Sequence, residues 1–369
     1  MAKRLLIAGG GTGGHLFPGM AVAEEFVSRD PENSVLFVGT SSGIESRLVP
    51  EAGYDFRAIR SMGIAGKGAF GKLRGAAVIP LSVLDALGVV KSWKPHAALG
   101  VGGYVSGPAI LSAWLYRVPC AIQEQNAAPG WTNRILARFV KRIFVSFDKT
   151  DEYFPKREKV VVSGNPVRKK IVDSVTAEKW TEKDKDSGKF CLLVVGGSQG
   201  ARGLNRLFIA ALAELSPEDR EMMDIRHQAG KGDMETVTGA YNDMKMDALV
   251  EPFIDDMADA YSRADLVVSR SGAGAVSEIA LAGKPAIFVP FPFAALDHQT
   301  ANAAALVDSG AALMFKESDT DPADFATAIK SLMENRKKLE EMAEKAGQSA
   351  RPDAAKLVVD HCLEMMEAG

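Results

Sequence analysis

Cysteine is scarce in this chain, with three in 369 residues, at Cys120, Cys191 and Cys362. They are too few and too scattered for a disulfide framework or a thiolate metal site, which fits a reducing, cytoplasmic setting. A long apolar run is also missing. The longest, Ala76 to Val90, contains Pro80 and Asp85 and is too short to span a bilayer. No signal-peptide pattern opens the sequence, so export is not expected. Net charge is small, at −3, but unevenly spread. Residues 1–165 carry 20 Lys and Arg against 13 Asp and Glu, a net of +7, and the remainder carries −10. The first half is therefore the side expected to meet an anionic partner.

With 47% hydrophobic and 25% charged residues, the chain has the makings of a globular protein, and its length suggests two domains. Strand patterns alternate with helix patterns throughout, which argues for an α/β fold of parallel sheets covered on both faces. Leu5-Leu6-Ile7-Ala8-Gly9-Gly10 is echoed by Leu192-Leu193-Val194-Val195-Gly196-Gly197. Later in each half another strand runs into a glycine loop, at Ala97–Gly107 and Leu266–Gly274. Two doubly wound units are expected, with a cleft at the carboxyl ends of their strands.

The loop Gly9-Gly10-Gly11-Thr12-Gly13-Gly14-His15 joins a buried strand to a helix whose apolar spacing is evident from Met20. Such a loop brings backbone N–H groups close to an anion. A dinucleotide site would need an acid at the end of the second strand, but Ser34–Val38 ends in Gly39-Thr40. Other polar groups stand at strand ends: Gln123-Glu124-Gln125-Asn126, Asp297-His298-Gln299, and Glu251 through Met257 with an Asp-capped helix. Glu278 sits in an apolar helical stretch that stops at Gly283; it is either solvated or turned into the cleft toward ribose hydroxyls. Between Arg57 and Lys94, seven basic residues, among them Lys72 and Arg74, face one acid, Asp85. Ile79, Leu84 and Trp93 lie between them. That stretch suits either an interfacial membrane contact or an amphipathic helix packed on its own core.

Seven motifs in order resemble the peptidoglycan-building members of glycosyltransferase family 28. They are Gly10–His15, Gly102–Pro108, Glu124–Asn126, Gly164–Arg168, Gly196–Gly200, Ser269–Glu278 and Asp297–Gln299. The resemblance implies a GT-B architecture of two Rossmann-like domains. An acceptor and membrane domain would span 1–165, a UDP-GlcNAc domain 166–349, and a last helix, 350–369, would pack back on the first. It also implies inverting transfer of N-acetylglucosamine from UDP-GlcNAc to the MurNAc 4-hydroxyl of undecaprenyl-pyrophosphoryl-MurNAc-pentapeptide (lipid I), giving lipid II. No metal or other cofactor and no nucleic acid is implied. The setting would be the anionic cytoplasmic face of the inner membrane.

By position, the Ile254 backbone would hold uracil and Glu278 the ribose. Ser198, Arg168 and the helix start at Gly272, through Ala273, Gly274, Ala275, Val276 and Ser277, would meet the diphosphate. Thr12, Asn126 and Gln299 would read the sugar, Gly13 and Gly14 would join them in binding the donor, and Gly103 and Tyr104 would meet the acceptor or the membrane. His15 is one candidate general base, and Glu124 is its competitor or its orienting partner. Ser271, Gly274 and Thr300 depart from the family pattern, which bears on donor contacts. A UDP-GlcNAc 2-epimerase shares the architecture but gives no reason for the basic, apolar stretch at 57–94.

Overall fold

The computed structural model describes residues 2–61, 69–176, 188–197 and 200–368. The chain divides into two units, Met1–Lys169 with Arg351–Gly369, and Lys170–Ala350. The first begins β1 (Arg4–Ala8), α1 (Gly13–Arg29), β2 (Ser34–Gly39), α2 (Glu45–Glu51), β3 (Asp55–Ala58), α3 (Ala69–Trp93). It continues β4 (Ala97–Gly100), α4 (Ser106–Leu115), β5 (Cys120–Glu124), α5 (Trp131–Leu136), β6 (Arg142–Val145) and β7 (Val160–Val162). Helix α6 (Lys169–Thr176) crosses to the second unit, which opens with β8 (Phe190–Val195), α7 (Arg202–Glu214), α8 (Pro217–Glu221) and β9 (Met223–Gln228). Next come α9 (Met234–Asp243), β10 (Ala248–Glu251), α10 (Met257–Arg263), β11 (Leu266–Ser269), α11 (Ala273–Leu281) and β12 (Ala286–Phe288). The chain ends with α12 (His298–Asp308), β13 (Ala312–Met314), α13 (Pro322–Met333), α14 (Arg336–Gln348) and α15 (Ala354–Glu367).

Both sheets are wholly parallel, in the orders β3-β2-β1-β4-β5-β6-β7 and β10-β9-β8-β11-β12-β13. The repeated strands β1 and β8 thus hold the same place, and in each sheet the order reverses beside them, at β4 and β11. That reversal is where an open α/β sheet leaves a crevice at its strands' carboxyl ends.

Side-chain alternation builds the layers of the first unit. Leu6 and Ala8 of β1 join Leu36, Val38, Ile122 and Ile143 on one face, under α3, α4 and α5. Leu5 and Ile7 join Val35, Phe37, Leu99 and Phe144 on the other. There α1 contributes Leu16, Val22 and Phe26, and α15 contributes Val358, Val359, Cys362 and Met365. Helix α1 starts at Gly13, earlier than its apolar spacing announced, and carries Pro18 within it. Trp93 corrects a membrane expectation: it packs against the first face of the core with Val89, because it follows Ala86 and Val90 around the inner side of α3.

In the second unit Leu192, Val194, Ile225 and Val268 face Phe208 of α7, Tyr241 of α9 and Phe325 of α13. His227 of β9 is fully buried here. Its Nε2 is 3.1 Å from the Asn205 side-chain oxygen, an acceptor, so Nε2 carries the proton and Nδ1 accepts from the Tyr241 hydroxyl at 2.9 Å. Burial pushes this imidazole down to about 4. The unfolded chain takes up that proton near pH 6.5 and the folded one only near 4, so stability present above 6.5 is lost as pH falls between the two. Roughly 3 kcal/mol is at stake, from the size of the shift. Urea unfolding between pH 7 and 4 should show this slope, and an imidazole NMR signal of His227 that titrates near 6.5 would contradict it.

Candidate active site

In the first unit the register brings three loops to one level. Ala8 pairs with Val38 of β2 and with Gly100 of β4, so the chain leaves all three strands side by side. The loop after β1 places Thr12 before α1, and the Thr12 hydroxyl lies 3.1 Å from His15 Nδ1. Thr12 is exposed and His15 half-buried. The loop after β4 closes over the same ring: a Cβ at Gly102 would overlap the His15 imidazole, and one at Gly103 would press on the Gly10 carbonyl. Ser106, fully buried, donates to the Ala8 carbonyl at 2.7 Å and accepts from the Gly102 N–H at 3.0 Å, fastening β1 to that loop. Tyr104 stands exposed beside Gly103.

Glu124 ends β5 and is 2% exposed. It accepts from the Asn126 N–H (3.0 Å), the Asn126 side-chain amide (3.3 Å), the Gly130 N–H (3.1 Å) and the Asn133 side chain (2.9 Å). Burial pushes its carboxyl above the usual carboxylate range in spite of these donors. Arg168 falls in the first unit, its guanidinium 5.2 Å from the centre of the Phe17 ring of α1.

In the second unit, β8, β9, β10 and β11 also end level. Gln228 is 2% exposed and ties two of the loops: its amide nitrogen donates to the Gly197 carbonyl (2.9 Å) and its oxygen accepts from the Ile254 N–H (3.0 Å). Ile254 is fully buried and its N–H is already engaged. Ser198 lies outside the described residues. Helix α11 begins at Gly272 with no side-chain cap, and the buried Ser271 hydroxyl beside it has no hydrogen-bond partner among the described residues.

Ala273, Gly274 and Ala275 supply first-turn N–H groups at that helix start. Val276 is corrected here, since its side chain is buried in the core and its N–H bonds to the Gly272 carbonyl. Ser277 and Glu278 are half-buried, and the buried Tyr261 hydroxyl donates to Glu278 Oε2 at 3.2 Å. Gln299 accepts from the Phe291 N–H at 2.9 Å, and the Thr300 hydroxyl donates to Asp297 at 2.7 Å. Among the described residues, no group of three His, Cys, Asp or Glu stands together as a metal site.

An exposed apolar surface lies on the first unit. Ile79, Leu81 and Leu84 of α3 are exposed, the last at 62%. The side chains of Lys72 and Arg74 lie outside the described residues. Helix α4 packs on α3 and ends in exposed Trp114, Leu115 and Tyr116. Helix α5 packs on α4 and adds Trp131, 68% exposed, and Ile135. Arg134 sits between the Trp131 and Tyr153 rings, at 5.8 and 4.8 Å. No described helix is long and apolar enough to cross a membrane.

Residues 5–145 match the glycosyltransferase family 28 N-terminal domain, and residues 191–358 its C-terminal domain. A Myxococcus xanthus protein named UDP-N-acetylglucosamine–N-acetylmuramyl-(pentapeptide) pyrophosphoryl-undecaprenol N-acetylglucosamine transferase is 45% identical, over 98% of this chain and 93% of its own length. A Geobacter sulfurreducens protein of the same name is 44% identical, over 98% of each. The crystal structure of Acinetobacter baumannii MurG superposes with a TM-score of 0.79 at 36% identity, covering 98% of this chain and 99% of that one. A Listeria monocytogenes structure described as a putative UDP-N-acetylglucosamine 2-epimerase shares the fold, with a TM-score of 0.71 at 13% identity over 100% and 98%.

Proposed function

This chain belongs to glycosyltransferase family 28, and from that membership we infer that it moves N-acetylglucosamine from UDP-GlcNAc to the MurNAc 4-hydroxyl of lipid I, giving lipid II. The observation that carries this reading is the near-complete match, at 44–45% identity, to transferases of that name. The epimerase likeness reaches the fold alone.

The residues divide the chemistry as follows. On the donor side, α11's uncapped start, the Ser271 hydroxyl and Ser198 meet the diphosphate, where preorganised N–H groups stabilise the charge that grows as UDP leaves. Glu278, aimed by Tyr261, takes the ribose hydroxyls. Uracil takes the Ile254 backbone, competing with Gln228 for its N–H. Arg168, held on Phe17, adds positive charge for the diphosphate. Thr12, Gly13, Gly14, Asn126 and Gln299 read the sugar, and Gly103 and Tyr104 border the acceptor.

His15 is the general base. Its Nε2 takes the proton of the acceptor hydroxyl as that oxygen bonds to the anomeric carbon, and the bond to UDP breaks with its electron pair leaving on the diphosphate. Base action at Nε2 requires the tautomer in which Nδ1–H donates to Thr12, a bond that the 3.1 Å distance allows. Glu124, engaged by four donors, shapes the loop that carries Asn126. No metal ion or other cofactor takes part, and no nucleic acid.

The exposed surface of α3, α4 and α5 rests on the anionic cytoplasmic face of the inner membrane, with apolar tips inserted and basic residues around them. Leu84→Ser combined with Trp131→Ser should lower binding to phosphatidylglycerol vesicles about tenfold or more, as expected for two lost apolar insertions. Co-sedimentation reads this directly, and unchanged binding would move the membrane contact elsewhere.

The transferase reading itself is tested by UDP release from UDP-GlcNAc with and without a short-chain lipid I analogue, in EDTA. Release that depends on the acceptor and survives EDTA is expected. Conversion of UDP-GlcNAc without acceptor would favour the epimerase.

A further inference from the structure

The sequence leaves the end of β2 without an acid, yet the fold brings one there. Glu45, the first residue of α2, turns back under the loop after β1 and is 1% exposed. Its Oε2 accepts from the Gly11 N–H at 2.8 Å, and its Oε1 accepts from the Thr40 N–H (2.9 Å) and the Thr40 hydroxyl (3.0 Å). Space for the carboxylate exists only because Gly10, Gly39 and Gly43 carry no side chain, since a Cβ at any of them would overlap it. Desolvation works against the charge, but the hydrogen bonds together outweigh it and hold the carboxyl below its usual range.

Two consequences follow from these contacts. The Gly11 N–H is taken by protein, so at that position the loop offers no donor to a phosphate. A buried negative charge under the loop is also a poor foundation for a phosphate cradle. What the carboxylate does accomplish is to fix Gly11, the residue before Thr12, whose hydroxyl in turn holds the His15 ring. We propose that Glu45 is a positioning residue for the transfer reaction, locking the turn that sets Thr12 and His15 in place. This rests on His15 acting as the base.

The test is a double-mutant cycle between Glu45→Gln and His15→Ala, with kcat and KM measured for both substrates. The glutamine keeps the volume but sets an NH2 against one of the N–H donors. Alone, Glu45→Gln should lower kcat about 30- to 100-fold, the scale of a small misplacement of a catalytic group, while KM for UDP-GlcNAc stays within about twofold. In the His15→Ala background the same change should cost less than about threefold, because there is no base left to misplace.

Equal losses in both backgrounds, or an unaltered kcat in Glu45→Gln, would overturn the proposal while leaving the transferase reading intact. A wild-type enzyme with no acceptor-dependent turnover would sink that reading instead. His15→Ala turnover equal to wild type would remove the base, and the role of Glu45 with it. Should Glu45→Gln lose its cooperative melt, Thr40→Val replaces it in the cycle. That variant keeps the carboxylate and drops one donor, with a kcat loss of about threefold expected and no loss counting against the proposal.

Discussion

His15→Ala is expected to lower kcat by roughly 10²- to 10⁴-fold, the range over which a positioned general base contributes. The acceptor is a sugar hydroxyl, a poor nucleophile until its proton has somewhere to go. The His15 imidazole, on the loop after β1, is half-buried, beside Thr12 and the Gly102 backbone. Alanine there opens space without stranding a buried charge, so folding should be little affected. Glu278 and Ser271, the groups proposed for the donor, belong to the second unit, so affinity for UDP should hold when measured by calorimetry. Thr12→Val is expected to fall between wild type and His15→Ala, since it releases the tautomer without removing the base. A rate for His15→Ala within threefold of wild type would reassign the proton to another group.

The second large effect is on stability. Glu124→Ala would leave the Asn126 and Gly130 N–H groups and the Asn133 amide without their acceptor in a site with 2% exposure. Breaking such a buried arrangement costs on the order of 3–5 kcal/mol. Glu124→Gln should cost about 1–2 kcal/mol, because it keeps an acceptor but turns an NH2 toward one of the donors. The sign of the charge effect favours the glutamine. Burial raises the folded carboxyl, so its ionised form opposes folding as pH rises through the folded value, and a neutral amide escapes that cost. Urea unfolding of the three proteins side by side separates these expectations. Equal midpoints would mean the loop finds other partners. A Glu124→Gln enzyme that unfolds like wild type yet has lost turnover would restore Glu124 as a reacting group.

The parallel sheets were legible because their strands are apolar on both faces, as Leu5 to Ala8 and Leu192 to Val195 are, and because glycines mark where each strand ends. The Thr12–His15 pair was legible as a neighbourhood, since three residues span one turn. Glu45, Tyr261 and Gln228 were not. Glu45 starts α2, Tyr261 lies within α10 and Gln228 ends β9; each reaches a partner 34, 17 and 26–31 positions away in sequence, which only the packing of the strands and helices brings near. Trp93 is the opposite case. As a stretch its basic and apolar neighbours suit a membrane contact or a packed helix, whereas the spacing of Ala86, Val90 and Trp93 puts the ring on the inner face of α3.

The closing helix carries a consequence for how the protein is made. The second unit is an insertion: all of it has left the ribosome before Ala354–Glu367 does, whereas one wall of the first unit's core is that helix. The first unit therefore lacks Val358, Val359, Cys362 and Met365 from this layer of its core until the second unit has been synthesised. The sheet synthesised first is thus sealed by a helix that is synthesised after the whole of the second unit.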